Sequence, residues 1–173
     1  MILVLIGYMA SGKSTLGKKL AKKLNYDFID LDDFIENKEN MSVSDIFKSK
    51  GEIYFRKQES VYLKKILQKK NNIILSLGGG TPCFGNNMEL ILNTTNARSI
   101  YLKASIPKLV KKLIEKKNKR PLIAHIETSE ALTEFVAKHL FERAQFYNQS
   151  EIKIITDDKT KKGIVKEIIL QLF

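Results

Sequence analysis

Hydrophobic positions along the chain change their period repeatedly. Short apolar runs of strand length, at 2–6, 26–30, 72–77, 98–103 and 152–156, are separated by stretches whose apolar residues return every three or four positions. Those stretches predict helices over 13–24, 33–39, 44–49, 52–70, 86–93, 106–117, 128–147 and 162–172. Ile106, Leu109, Val110, Leu113 and Ile114 mark one such face, with Ser105 as N-cap and Pro107 in the first turn. Ser42-Val-Ser-Asp45 reads as another helix start. No linker rich in Gly, Ser or Pro, no internal repeat and no low-complexity tract interrupts the series. Strands alternating with helices predict an α/β fold, with a five-stranded parallel sheet between two helical layers. Ligands of such sheets sit beyond the carboxyl ends of the strands. The residues that follow each strand are therefore the ones to inspect for chemistry.

After the first run comes Gly7-Tyr-Met-Ala-Ser-Gly-Lys-Ser14, the G-x-x-x-x-G-K-[ST] pattern of a phosphate-binding P-loop. A strand feeding a glycine turn into a helix N-terminus surrounds an anion with backbone N–H groups. Gly7, Met9, Ala10, Ser11, Gly12, Lys13, Ser14 and Thr15 are the candidate nucleotide contacts. Lys13 would reach the outer phosphates, and the Ser14 hydroxyl is placed for Mg²⁺. A glycine turn with no ligand is the plainer alternative. After the second run comes Asp30-Leu-Asp32-Asp33. Extended spacing puts Asp30 and Asp32 on one side. One carboxylate suits Mg²⁺, and the other suits the proton of an attacking hydroxyl. Alternatively, Asp32 or Asp33 caps the next helix, Asp33 being the better candidate. After the third run comes Gly78-Gly79-Gly80, an entropically costly run that suits close approach of a ligand to backbone. That strand lacks the aspartate that ends many Walker B strands, which leaves Asp30 as the available Mg²⁺ carboxylate.

The chain has 173 residues, 43% of them hydrophobic, which predicts one domain with a real core. No apolar run approaches the ~20 residues of a membrane span, and the N-terminal run is short for a signal peptide. A single cysteine, Cys83, leaves no internal disulfide, fits a reducing cytoplasm, and reads as a buried or incidental thiol. The formal charge of +11 raises the question of a nucleic-acid partner. Lysine pairs spread along the chain, with no array of stacking aromatics, read instead as solvated helix faces. With no apolar helix face left over, a monomer is expected. Only four of the 30 basic residues are arginines, and arginine binds carboxylate or phosphate bidentately where lysine does not. Arg56 stands near Glu59 on one helix face, as a site residue or as a surface ion pair. Phe47 and Phe55 flank it, as core or as the walls of a small pocket. Arg120 ends a lysine-rich stretch between helices and suits a lid that brings a guanidinium onto transferring phosphate. Arg143 lies four residues before Tyr147. Arg98 reads as structural, and His125 and His139, which lack metal-ligand spacing, read as surface or structural positions with no assigned role.

Taken in order along nearly the whole chain, these segments resemble the shikimate kinases. The resemblance rests on the P-loop; Phe28-Ile-Asp30-Leu-Asp32 running into Ile35-Glu36; Asp45-Ile-Phe47, Gly51-Glu52 and Phe55-Arg56; the triple glycine; Arg120-Pro121-Leu122; and Glu142-Arg143 with Tyr147. It implies a nucleoside-monophosphate-kinase-like fold and transfer of the ATP γ-phosphate to the 3-hydroxyl of shikimate, with Mg²⁺. It implies Asp30 and Ser14 on the metal side, Asp32 on the acceptor hydroxyl, and Arg56 and Arg143 on the shikimate carboxylate. It also implies Gly78, Gly79 and Gly80 against shikimate, Phe47 and Phe55 as apolar walls, and Lys13 and Arg120 on the phosphates. The implied organisation is one kinase domain over 1–173, with a shikimate-binding segment at about 33–61 and a lid at about 115–127. Lys116 and Lys117 stand where relatives often carry an arginine against the adenine, so the adenine contacts stay unassigned. Gluconate kinase, a related small-metabolite kinase, is the nearest alternative.

Overall fold

The computed structural model describes residues 1–115 and 121–173. Five strands, β1 (Ile2–Ile6), β2 (Asp27–Asp30), β3 (Ile73–Ser76), β4 (Ala97–Lys103) and β5 (Ile152–Ile155), form one parallel sheet in the order β2-β3-β1-β4-β5. β1 is central, with Ile2 opposite both Ile73 and Ala97. All five of its residues are buried, as expected for a strand covered on both faces. Alternation along it serves two cores. Ile2, Val4 and Ile6 face one cluster with Leu63, Ile66, Leu113 and Val136. Leu3 and Leu5 face the other, with Leu16, Leu20, Ile164 and Ile168. The second core is closed by α1 (Lys13–Leu24) and α8 (Lys161–Leu172). The first is closed by α3 (Val43–Leu67), α4 (Asn87–Leu92), α5 (Ile106–Ile114) and α7 (Ser129–Tyr147). α2 (Leu31–Glu39) and the short α6 (Pro121–Ala124) complete the described helices. No helix among the described residues is long and apolar enough to cross a membrane.

Most predicted elements are present, and three differ for identifiable reasons. The helix expected from 33 starts at Leu31, because Asp30 rather than Asp33 is its N-cap, accepting from the Asp32 N–H. The helices expected over 44–49 and 52–70 form one hydrogen-bonded run, bent at Gly51, whose φ of 82° and ψ of 168° are open to glycine. A 3-10 turn at Thr81–Cys83 and helix α6 were not predicted, being too short for periodicity to register. The caps Ser42 and Ser105 behave as read, each taking an N–H three residues on.

The bend at Gly51 is held by Glu39, at the end of α2. Its carboxylate accepts from Tyr54 Oη at 2.7 Å, Tyr62 Oη at 3.0 Å and Lys50 Nζ at 3.0 Å. The Tyr54 bond, then that of Lys50, holds the Glu39 carboxyl below its ordinary value of 4.5. A depressed carboxylate contributes stability above that value and loses it as pH falls through its folded one. Glu39→Gln is expected to lower Tm at pH 7 by a few degrees, for a loss of about 1 kcal/mol. The gap to the unsubstituted protein should close below the carboxylate range, and an equal gap at both pH values would contradict this account.

Candidate active site

The P-loop begins where β1 ends. Gly7 and Gly12 take positive φ of 152° and 103°, and Ala10 takes 63°. These left-handed residues turn successive N–H groups inward, toward the space an anion would fill. Gly12 then opens α1, whose first residue is Lys13. Lys13 is buried among the loop carbonyls, donating to Gly7 O at 2.8 Å and Tyr8 O at 3.0 Å. A cleft of about 810 Å³ opens over the loop and is lined by Met9, Ala10, Ser11, Gly12, Lys13, Ser14 and Thr15. Asp30, Asp32, Gly78 and Gly79 line it too, so three strand ends meet there.

Asp30 holds two neighbours at once. One carboxylate oxygen caps α2, and the other accepts from Ser14 Oγ at 2.7 Å. The sequence reading placed Asp30 and Asp32 on one side of a strand. That is corrected by the structure, where β2 ends at Asp30 and Asp32 lies in the first turn of α2. The two still share the cleft because the cap folds the chain back over itself. Asp32 keeps some exposure to the cleft, yet its carboxyl is largely surrounded by protein. Burial first, then the charges of Asp30 and Glu59, push it from an ordinary 3.8 up to about 7, against the pull of Lys13 and Arg56.

The triple glycine meets a different side chain at each residue. A Cβ on Gly78 would lie 3.1 Å from an Asp32 carboxylate oxygen. One on Gly79 would lie 3.3 Å from Arg143 Nη1, and one on Gly80 would lie 2.6 Å from Arg56 Nη2. The loop thus gathers a carboxylate from α2 and guanidinium groups from α3 and α7. Arg56 pairs with Glu59 at 2.8 Å and Glu52 at 3.5 Å. Burial works against the Arg56 charge, and these carboxylates more than restore it. Glu59 is itself 1% exposed and accepts from Thr81 Oγ1 at 2.6 Å. The ion pair weighed as a surface feature is therefore a buried support of the site. Phe55 is a core residue at 3% exposure whose ring lies 5.4 Å from the Arg56 guanidinium, and Phe47 packs on it at 4.8 Å. Arg143 lies over the Tyr8 ring at 5.7 Å.

Arg120, with Lys116 and Lys117, lies outside the described residues. Other residues enter that the sequence did not single out. Lys112 of α5 donates to Ala10 O at 3.3 Å, Lys108 donates to Thr156 O, and Thr156 and Lys159 line the far end of the cleft. Their only sequence signal was membership of a lysine-rich helix and of the segment after the last strand. His139 is held by Tyr8 Oη at 3.2 Å, and Arg98 pairs with Glu151 at 3.0 Å. Burial pushes the Cys83 thiol up to about 11, which suits an inert side chain. Among the described residues no group of three or more His, Cys, Asp or Glu could hold a metal ion. The Ser14–Asp30 pair is an all-oxygen donor set of the kind Mg²⁺ takes when phosphates and water complete its shell.

A parallel sheet with a P-loop at its central strand, and beside it a glycine loop that gathers a carboxylate and two guanidinium groups, is the architecture of a P-loop kinase of small molecules. The sequence model of the shikimate kinase family matches residues 9–173. A shikimate kinase of Flavobacterium psychrophilum is 48% identical over 99% of this chain and 98% of its own. The crystal structure of shikimate kinase from Bacteroides thetaiotaomicron superposes with a TM-score of 0.91 at 33% identity, covering 99% of this chain and 98% of that one. The Acinetobacter baumannii shikimate kinase, solved in complex with shikimate, gives 0.85 at 27% identity over 99% and 92%. The chain belongs to the shikimate kinase family. It is an ATP-dependent, Mg²⁺-using kinase that phosphorylates a hydroxyl group of shikimate.

Proposed function

We propose that the cleft divides into a donor half, Gly7 to Thr15, and an acceptor half built around the triple glycine, within one kinase domain over residues 1–173. The observation that carries this is the succession at Gly78, Gly79 and Gly80, each glycine leaving room for one of Asp32, Arg143 and Arg56. An acceptor there meets two guanidinium groups suited to a carboxylate and, beside the P-loop, a carboxylate suited to a hydroxyl. Shikimate has both groups, and its 3-hydroxyl is the one we assign to Asp32. Arg56 and Arg143 take its carboxylate, while Gly79 and Gly80 offer backbone to its hydroxyls. Phe55, with Phe47 behind it, supplies the apolar backing.

The donor is ATP. Backbone N–H groups of the P-loop and Lys13 hold its phosphates, and Mg²⁺ held by Ser14 and Asp30 would supply neutralising charge to the transferred group. Asp32 accepts the hydrogen bond of the attacking hydroxyl and orients it in line with the γ-phosphate. In a loose transition state that orientation outweighs its basicity. Arg120 would add a guanidinium from a lid over about 115–127 that closes on the phosphates. The remaining parts of the reading are a monomer with no nucleic-acid or membrane partner, working in the cytoplasm.

A coupled assay of ADP release with ATP, Mg²⁺ and an acceptor panel tests the assignment. Turnover is expected with shikimate, giving shikimate 3-phosphate, and not with gluconate or AMP. Turnover with gluconate alone would overturn it. So would an analogue of shikimate lacking the carboxylate that turned over with an unchanged KM.

A further inference from the structure

Tyr147 closes α7 one turn after Arg143 and has 0% exposure. Its ring packs on Tyr101 of β4 at 5.2 Å between centroids. Its hydroxyl donates to the Gly79 carbonyl at 2.6 Å, across 68 residues of sequence. The Arg143 guanidinium is close enough for its charge to act on the same phenol, and its Nη1 lies 3.3 Å from where a Cβ of Gly79 would be. One oxygen therefore ties the end of α7 to the middle of the triple glycine.

Peptide planarity carries the consequence to Gly80. In a trans peptide the C=O and the next N–H point in opposite directions, and the chain has no cis bond among its described residues. With the Gly79 carbonyl turned toward Tyr147, the Gly80 N–H is turned away from the packed interior between α7 and β4. The loop's own backbone bonds do not use it: Thr81 N–H goes to Gly78 O, and Cys83 N–H goes to Gly80 O. The Arg56 guanidinium sits against the same residue.

We propose that Tyr147 is a positioning residue for the acceptor, its hydroxyl setting the Gly79–Gly80 peptide and the Arg143 guanidinium in one arrangement. The acceptor's carboxylate and ring hydroxyls then meet a cation and an N–H already in register. This rests on the reading of Arg143 and the glycine loop as acceptor contacts. Burial raises the Tyr147 phenol well above its ordinary value, so it keeps its proton throughout the working range.

Tyr147→Phe removes one oxygen and keeps the ring against Tyr101. The shikimate KM is expected to rise roughly tenfold while the ATP KM stays within about twofold. Arg143→Lys and the double variant are measured beside it. In the double variant the two effects should combine to clearly less than their product, and full additivity of the two free-energy effects would overturn the proposal. A shikimate KM raised by Arg143→Lys but unmoved by Tyr147→Phe overturns the Tyr147 role alone. One unmoved by both overturns the acceptor reading itself. Equal rises for ATP and shikimate would mean general loosening and would also overturn the role. Should the variant fail to fold, the unsubstituted protein decides: its Gly80 amide resonance is expected to shift on adding shikimate, and an unmoved resonance refutes the arrangement.

Discussion

Asp32→Asn is expected to cut kcat by a factor of roughly 10²–10⁴ while leaving the KM for ATP within about twofold. The carboxylate lies beside the P-loop and against Gly78, where it can take the hydrogen bond of an incoming hydroxyl. An amide is nearly the same size but presents a donor as readily as an acceptor, so the hydroxyl loses its unique orientation. Unaltered turnover would remove Asp32 from the mechanism. The same variant should be more stable in ligand-free, metal-free buffer. Asp32 is pushed up from 3.8 to about 7 by burial and by the charges of Asp30 and Glu59. A carboxyl raised on folding contributes stability fully below its unfolded value and loses it as pH rises through its folded one. At pH 8 that loss is ~4 kcal/mol in full, and about 2 kcal/mol once screening by cleft water is allowed for. Melting curves should therefore show Asp32→Asn ahead of the unsubstituted protein at pH 8 and level with it below pH 4.

Gly80→Ala is expected to raise the shikimate KM by as much as about 10²-fold with little change in the ATP KM, and to lower Tm by a few degrees. The backbone at Gly80, with φ −86° and ψ −20°, suits alanine, so no strain arises there. The added methyl would instead meet the Arg56 guanidinium at 2.6, 2.9 and 3.0 Å from Nη2, Nη1 and Cζ. The guanidinium, at the end of a long side chain, is what gives way. Its displacement breaks the 2.8 Å contact with Glu59 and takes the fork out of register with a carboxylate. The contrast between shikimate and ATP is the informative readout. A wild-type shikimate KM would show that Arg56 does not need its present position.

The proposed donor half was legible because it is local. Eight consecutive residues, flanked by an apolar strand and an amphipathic helix, specify a turn with inward N–H groups whatever lies elsewhere. Ser42 and Ser105 were legible as caps for the same reason. The proposed acceptor half was legible only in outline. Arg56, Gly78 to Gly80 and Arg143 drew notice as residue types, and the likeness to shikimate kinases gathered them. Helical period could put Glu59 beside Arg56, but not show that the pair is buried with Thr81 closing it from behind. Extended spacing suggested that Asp30 and Asp32 share a strand face. A helix cap brings them to the cleft instead, because the Asp30 carboxylate takes the first free N–H of α2.

By itself the sequence determined the α/β class, the phosphate-binding loop and the residue types available to each strand end. Periodicity and turn chemistry act over a few residues and need no distant partner. Only the tertiary structure decided which of those residues meet. Lys112 reaches Ala10 across 102 residues, Tyr147 reaches Gly79 across 68, and Thr81 reaches Glu59 across 22. Such contacts follow from the parallel order β2-β3-β1-β4-β5, which brings the ends of separate strands to one edge. Within it, packing against two cores leaves each helix one position from which to present its side chain.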